Sequence, residues 1–316
     1  MLRYATRRLL LALCQLAVLA VLVFVLTSVL PGDAAEVQFN ELAIDPAQVT
    51  ELRHRMGLDR PIAERFATWA GAMLTGDPGT SLVGGEPVGS IVSGSLGATL
   101  TLAAVTIVIL VPLAVGLGLL MGLREGSRTD RALSGLTLAL NSVPDFVLAL
   151  TLVAVVSLRL GWLPSTWLGT DAGDLLERPT LLVLPVAVLL ARTVCLLSRQ
   201  IRAGTVTAVH AGYTVQARRL GVPRGRLVLR HVLPGAAVPG AQELARTGDQ
   251  LLGGVLVVEA VFAVPGTATA LIDAVQSRDI PTVQALTLLL ATIGLALNLA
   301  ADLVSHRLAP RTEVLR

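Results

Sequence analysis

The segment "AGYTVQARRLGVPRGRLVLRHVLP", residues 211–234, interrupts a chain that is otherwise strongly apolar. It carries five arginines and two prolines, and it has no apolar run long enough to cross a bilayer. Residues 213–220 are predicted to form a helix, which Gly221 and Pro223 end. Residues 224–232 are predicted to form a second short helix. The pattern therefore predicts two helices joined by a glycine turn, lying along one face of a membrane.

The composition of the chain places it among membrane proteins. Of its 316 residues 53% are hydrophobic and 15% are charged, and its mean hydropathy is +0.73, whereas soluble domains carry about 25% charged residues. A spanning helix needs about 20 mostly apolar residues. The sequence predicts an all-α polytopic protein with six transmembrane helices, at about residues 9–30, 96–123, 132–158, 180–197, 236–264 and 283–308. The first run is too long for a signal peptide and is read as a retained helix.

The arginines predict the orientation of these spans, because cytoplasmic loops are enriched in basic residues. With the N-terminus inside, the cytoplasmic segments carry three, three, seven and three of the 25 arginines. The pattern indicates N-in and C-in topology, with residues 1–30 forming the tail and first span and residues 309–316 a cytoplasmic tail. Residues 96–308 form the five-helix core, which includes a cytoplasmic segment at 199–234 that contains the basic segment.

Residues 31–95 then lie outside the membrane, where we expect a small helical cap. Asp45 and Pro46 start a first helix that Gly57 stops, and Pro61 starts a second. Apolar side chains recur along both helices at positions that share one face. They are Leu52, Met56, Phe66, Trp69 and Met73.

Several enzyme classes are excluded by the sequence. It has no lysine and therefore no phosphate-binding loop of the G-x-x-x-x-G-K-[ST] type, so the chain is not itself an ATPase of that class. It also lacks H-E-x-x-H and G-x-S-x-G motifs and any metal-ligand spacing among its cysteines and histidines. No catalytic or metal-binding residue is predicted.

Charged residues occur inside the predicted spans, where each costs about 2.5–3.5 kcal/mol on insertion scales. Two interpretations remain open: they form the wall of a translocation path, or they pair with each other and hold helices together. The residues are Asp145, Arg192, Glu243, Arg246 and Asp249.

The basic segment resembles the cytoplasmic pattern E-A-A-x-x-x-G, nine residues, I-x-L-P of ATP-binding cassette (ABC) importer permeases. Ala217, Gly221, Leu233 and Pro234 match this pattern, whereas Val215, Gln216 and His231 do not. The version "Y-V-R-T-A-R-A-K-G-L" of the dipeptide/oligopeptide/nickel permeases is more similar, because Tyr213 and Arg218 also fit it.

Other stretches, in the same order as in that family, extend the resemblance over nearly the whole chain. They include "SVLPGDAA", "MGLDRPI", "SVPDFVLALTL" and "GGVLVVEAVFAVPG". The last of these contains residues expected to have a structural role: Gly253, Gly254, Glu259, Pro265 and Gly266. The chain is identified as resembling the first of the two permease subunits, with a type I importer architecture.

The resemblance implies a permease of the bacterial cytoplasmic membrane that imports di- or oligopeptides. Its implied partners are a second homologous permease, two ABC ATPase subunits that use ATP and Mg²⁺, an extracytoplasmic solute-binding protein and lipid, but no nucleic acid. The chain itself would bind no cofactor. Tyr213 and Leu220 would enter an apolar groove of the ATPase and Arg218 would meet acids there.

Alternatives remain at the level of substrate and of energy source. The same machinery in this family also imports nickel or other metal chelates. An ion-coupled secondary transporter would explain the intramembrane acids, but such proteins often show internal repeats, and the sequence shows no convincing repeat.

Overall fold

The computed structural model describes residues 2–29, 60–167 and 178–308. Within the helices it does not describe the side chains at positions 2, 245, 249, 250, 252, 305, 307 and 308. The described chain is helical, apart from turns and one isolated antiparallel bridge between Thr80 and Pro87. The predicted first cap helix, with Asp45, Pro46, Leu52, Met56 and Gly57, lies outside the described residues.

The helices follow the order of the predicted spans. The bounds are α1 Leu2–Val29, α2 Ile62–Leu74, α3 Val88–Leu123, α4 Arg128–Asn141, α5 Asp145–Leu152, α6 Thr180–His210, α7 Gly212–Arg219, α8 Arg224–Leu227, α9 Leu233–Phe262, α10 Thr267–Gln276 and α11 Ile280–Leu308. Two π-helical segments, Val153–Arg159 and Val228–Val232, continue α5 and α8.

Four helices, α1, α3, α6 and α11, are each long and apolar enough to cross a membrane. Two bent pairs raise the number to as many as six: α4 with α5 and its π-segment, and the end of α9 with α10. The prediction of an all-α polytopic membrane protein is confirmed.

The third predicted span is not one straight helix, and this corrects the prediction of a single run at 132–158. The chain bends by 97° between α4 and the segment that begins at Asp145. Pro144 is the reason, because it lacks an N–H and disfavours helical backbone at Val143.

The fifth predicted span, 236–264, is a single helix, α9, but it does not satisfy the length and composition criteria for a span by itself. Three charged residues in its middle, Glu243, Arg246 and Asp249, reduce its hydropathy. Its apolar part begins at Gly253 and is continued by α10 after an interruption in which Ala263 adopts a left-handed φ of 52°.

One compact unit contains α1, α2, the start of α3 up to Thr99, α10 and α11 up to Leu295. The second predicted cap helix is present as α2, directly after Pro61. Phe66 and Trp69 of α2 pack on Phe24 of α1, with ring centroids 5.2 and 5.3 Å away. The Gln284 side chain donates to Thr27 Oγ1 at 2.8 Å, which joins α11 to α1.

The second compact unit contains the rest of α3, α4 to α9, and the end of α11. Its centre is α6, whose residues Val194, Leu197 and Ile201 are buried against Leu110 of α3 and Ala236 of α9. Because α6 leads directly into the basic segment, the packing of α6 decides how that segment is held.

Candidate functional site

The basic segment forms two short helices connected by a tight turn. After α6 ends at His210, Ala211 is extended and α7 begins at Gly212. Gly221 has a φ of +81°, which favours glycine because a side chain there would be strained. Its N–H donates to Arg218 O at 3.1 Å and that of Val222 to Ala217 O at 3.2 Å, so the turn is closed before α8 starts.

Helix α7 has one face buried in this chain and one face directed away from it. Thr214 is 0% exposed and Ala217 8% exposed. Tyr213 is 54% exposed, Leu220 is 74% exposed, and Arg218 is also exposed. Of the remaining predicted residues, Leu233 is half-buried and Pro234 exposed. The exposed side chains of Tyr213 and Arg218 in α7 and of Leu220 at its C-cap, here together called the outward face of α7, thus include both apolar and basic groups.

Glycines bring α6 unusually close to its two neighbours at the base of the segment. A Cβ atom added at Gly122 of α3 would lie 2.5 Å from Thr205 Cβ, and one at Gly118 would lie 2.7 Å from Ile201 Cβ. On the other side, a Cβ at Gly204 would lie 2.9 Å from Ala236 Cα of α9. These separations hold the C-terminal half of α6 between α3 and α9 with almost no free space.

An ion pair that the sequence did not predict joins α6 to the first turn of α4. Arg202 contacts Asp130 through two nitrogens, with Nε to Oδ1 at 2.7 Å and Nη2 to Oδ2 at 2.8 Å. Asp130 is buried, and it also accepts from the Gly126 N–H and the Ser134 hydroxyl. Ser127 caps α4 by accepting from the Asp130 N–H. The only signal in the sequence was the position of Arg202 upstream of the basic segment.

Two of the predicted intramembrane charges meet among the described side chains. Arg192 Nη1 lies 3.5 Å from Asp145 Oδ2. Glu243 is half-buried and Arg246 is exposed, and among the described side chains these two form no ion pair with each other. The side chain of Asp249 is outside the described part of the chain.

The predicted structural residues lie at the end of α9 and in the turn that follows. A Cβ at Gly254 would lie 3.1 Å from Leu189 Cδ2 of α6, whereas one at Gly253 would meet no described atom within 4 Å. Glu259 is fully buried, and its carbonyl accepts from the Val264 N–H at 3.0 Å. Pro265 follows, and Gly266 is the N-cap of α10. Across the described ranges no three His, Cys, Asp or Glu residues come together as a metal site.

Comparison with known proteins agrees with this arrangement over the whole chain. The family model "binding-protein-dependent transport system inner membrane component" matches residues 114–314, and the model for the N-terminal part of such components matches residues 1–103. A putative peptide permease protein of Brucella ovis is 34% identical over 99% of this chain and 100% of its own length.

Other relatives extend the same comparison. The di/tripeptide transport system permease protein DppB of Pseudomonas aeruginosa is 29% identical, and the glutathione transport system permease protein GsiC of Pectobacterium atrosepticum is 32% identical, each over 98% of both chains. A crystal structure of an amino acid ABC transporter shares the fold, with a TM-score of 0.50 and 20% identity over 69% of this chain and 94% of that chain. The chain therefore belongs to the family of inner-membrane components of binding-protein-dependent transport systems and is an ABC importer permease.

Proposed function

We propose that this chain is one permease subunit of an ATP-driven importer that moves di- or oligopeptides across the bacterial cytoplasmic membrane. In this proposal a second homologous permease completes the path, two separate subunits bind and hydrolyse ATP with Mg²⁺, and a solute-binding protein delivers the substrate. The names of the relatives, which are peptide, di/tripeptide and glutathione permeases, support peptides as the substrate class.

The observation that carries the proposal is the outward face of α7. Exposed tyrosine and leucine side chains beside arginines favour a protein partner, since an apolar surface rimmed by charge is typical of binding sites. Tyr213 and Leu220 are seven residues apart and therefore lie on the same side of the helix. We propose that they enter a groove of the ATPase, and that Arg218 pairs with an acidic side chain at its edge.

Movement of α7 has to move α6 as well, because the two are joined by one extended residue, Ala211. The close glycine contacts and the pair of Arg202 with Asp130 join α6 to α3 and α4. Packed helices connected in this way shift as rigid bodies. ATP-driven closure of the ATPase dimer would thereby be transmitted from α7 to the spans.

Two substitutions test this mechanism in the assembled transporter reconstituted in vesicles. Gly221→Val places a β-branched residue at a φ of +81°, and Arg218→Glu reverses the charge of an exposed side chain. We expect both to abolish peptide uptake and substrate-stimulated ATP hydrolysis, while the amount of inserted permease is unchanged.

The matched control is Gly135→Val on α4, where φ is not positive and a Cβ meets no described atom within 4 Å. It should leave uptake and ATP hydrolysis at the wild-type level. Stimulated hydrolysis that persists in both Gly221→Val and Arg218→Glu would contradict docking through α7.

A further inference from the structure

Three basic side chains lie exposed along one face of α6, from the middle of the helix to its C-terminal end. Arg192, Arg199 and His210 are separated by 7 and 11 residues, which places them on the same side of a helix with 3.6 residues per turn. All three are exposed, with Arg192 and His210 side chains at 54% and 69%. The opposite side of α6, with Val194, Leu197 and Ile201, is buried.

A face of this composition does not suit contact with lipid tails. A charged side chain in the middle of a bilayer costs about 2.5–3.5 kcal/mol on insertion scales, so such residues face protein or a water-filled space. Arg192 is 12 residues from the start of α6, or about 18 Å along a helix that rises 1.5 Å per residue. Its depth and exposure indicate water or a polar partner in the interior of the assembled transporter.

The two arginine–aspartate pairs of α6 differ in how completely the guanidinium is used. Arg202 makes two short hydrogen bonds to a buried carboxylate, and its side chain is 31% exposed. Arg192 has a single contact of 3.5 Å with Asp145, and among the described residues its N–H groups make no hydrogen bond. A guanidinium has five N–H donors that bind carboxylates in pairs. Arg192 therefore keeps donors for a second anion.

The surroundings of Asp145 leave room beside this pair. Asp145 is the first residue of α5, where the helix dipole stabilises a carboxylate. A Cβ at Gly254 of α9 would lie 3.8 Å from Asp145 Oδ2, an ordinary contact distance, so α9 borders the carboxylate. The open side of the pair is at Arg192, whose side chain is 54% exposed, against 18% for Asp145. The bend at Pro144 is what places Asp145 within the third span next to α6.

We infer that Arg192, held by Asp145, is a subsite of the translocation path that receives the carboxylate of the substrate, as at the C-terminus of a peptide. The inference rests on the proposed function. A substrate carboxylate replaces the long contact to Asp145 with two shorter hydrogen bonds on Arg192. Competition from Asp145 keeps the binding weak, which a transient site requires, because the substrate has to leave again.

The test uses the assembled transporter in vesicles, with its solute-binding protein, and two labelled probes, trialanine and trialanine amide. Uptake of each probe is expressed per ATP hydrolysed. We expect Arg192→Gln to lower trialanine uptake about tenfold, as the loss of a charged hydrogen bond predicts, and to remove the wild-type preference for the free carboxylate. Arg192→Lys should restore part of both. Arg131→Gln, an exposed arginine on α4, is the matched control and should match wild type.

A charge swap separates a subsite from a structural pair. With Asp145→Arg and Arg192→Asp combined, we expect normal assembly with the second permease but no recovery of trialanine uptake. Full recovery of uptake in the swap, loss of assembly in Arg192→Gln, or a wild-type preference for trialanine in Arg192→Gln would each overturn the inference. A wild-type transporter that couples ATP hydrolysis to neither probe would instead contradict the proposed import of peptides, and the inference with it.

Discussion

At the scale of single residues, two threonines can be compared: Thr214 in the basic segment and Thr205 in α6, the helix that leads into this segment. Both are 0% exposed. The Thr205 hydroxyl donates to Ile201 O at 2.7 Å, whereas Thr214 Oγ1 is buried and has no hydrogen-bond partner among the described residues. A buried polar group without a partner costs about 1–3 kcal/mol, while a formed hydrogen bond contributes about 1 kcal/mol.

Replacing each threonine with valine, which has nearly the same shape, should therefore have opposite effects. We expect Thr205→Val to lower the free energy of unfolding by about 1 kcal/mol and Thr214→Val to leave it unchanged or raise it. Thermal unfolding of the purified permease in detergent measures both. An equal loss of stability in the two variants would mean that Thr214 has a hydrogen bond after all.

Residue patterns alone predicted the apolar and basic side chains of α7 but not what supports them. Tyr213 and Arg218 could be named because their spacing in the segment matches a family pattern, in which Leu220 occupies the position of a lysine. The pair of Arg202 with Asp130 joins residues 72 positions apart. No local periodicity relates such distant positions, so contacts of this kind are visible only in the folded chain.

At the scale of helices, the close approach of α3 and α6 depends on Gly118 and Gly122. A methyl group at position 122 would lie 2.5 Å from Thr205 Cβ and would force the helices apart. We expect Gly122→Ala to destabilise the permease by about 1–3 kcal/mol, as overpacked cores usually do. Because α6 carries α7, stimulated ATP hydrolysis should fall as well.

Gly116→Ala on the same helix is the control for this prediction. A Cβ at Gly116 meets no described atom within 4 Å, and alanine favours helix over glycine by about 1 kcal/mol. Thermal stability and stimulated ATP hydrolysis should therefore both fall in Gly122→Ala. In Gly116→Ala both should rise or stay at the wild-type level. A Gly122→Ala protein as stable as wild type would show that the α3–α6 distance is not fixed by these glycines.

The sequence predicted most helices well because their apolar runs are long, and it failed where a local break competes with hydropathy. Residues 132–158 are apolar enough for one span, yet Pro144 divides them into α4 and α5. Conversely, α9 is one helix although three charged residues in it lower its hydropathy. Hydropathy indicates whether a segment lies in lipid or in water, whereas proline and hydrogen bonding decide whether the segment forms one continuous helix.

At the scale of the whole molecule, the chain is one component of a larger machine. Its family and its all-α membrane fold are established. The N-in orientation, the ATPase partners and the peptide substrate are proposals drawn from arginine distribution, exposed side chains and the names of relatives. A single permease chain could not reveal these partners, because their side chains complete the surfaces that it leaves exposed. These proposals place the contact with the ATPase at the outward face of α7.

Site-specific photo-cross-linking tests most directly whether the ATPase docks on the outward face of α7. A photoreactive amino acid is placed at Leu220, the C-cap of α7, which is 74% exposed, and in a separate variant at Val108 of α3, which is 72% exposed. Docking of α7 predicts an adduct between the permease and the ATPase subunit from position 220 and none from position 108. Absence of the ATPase adduct at position 220 in an assembled transporter, or equal adducts from both positions, would contradict the account.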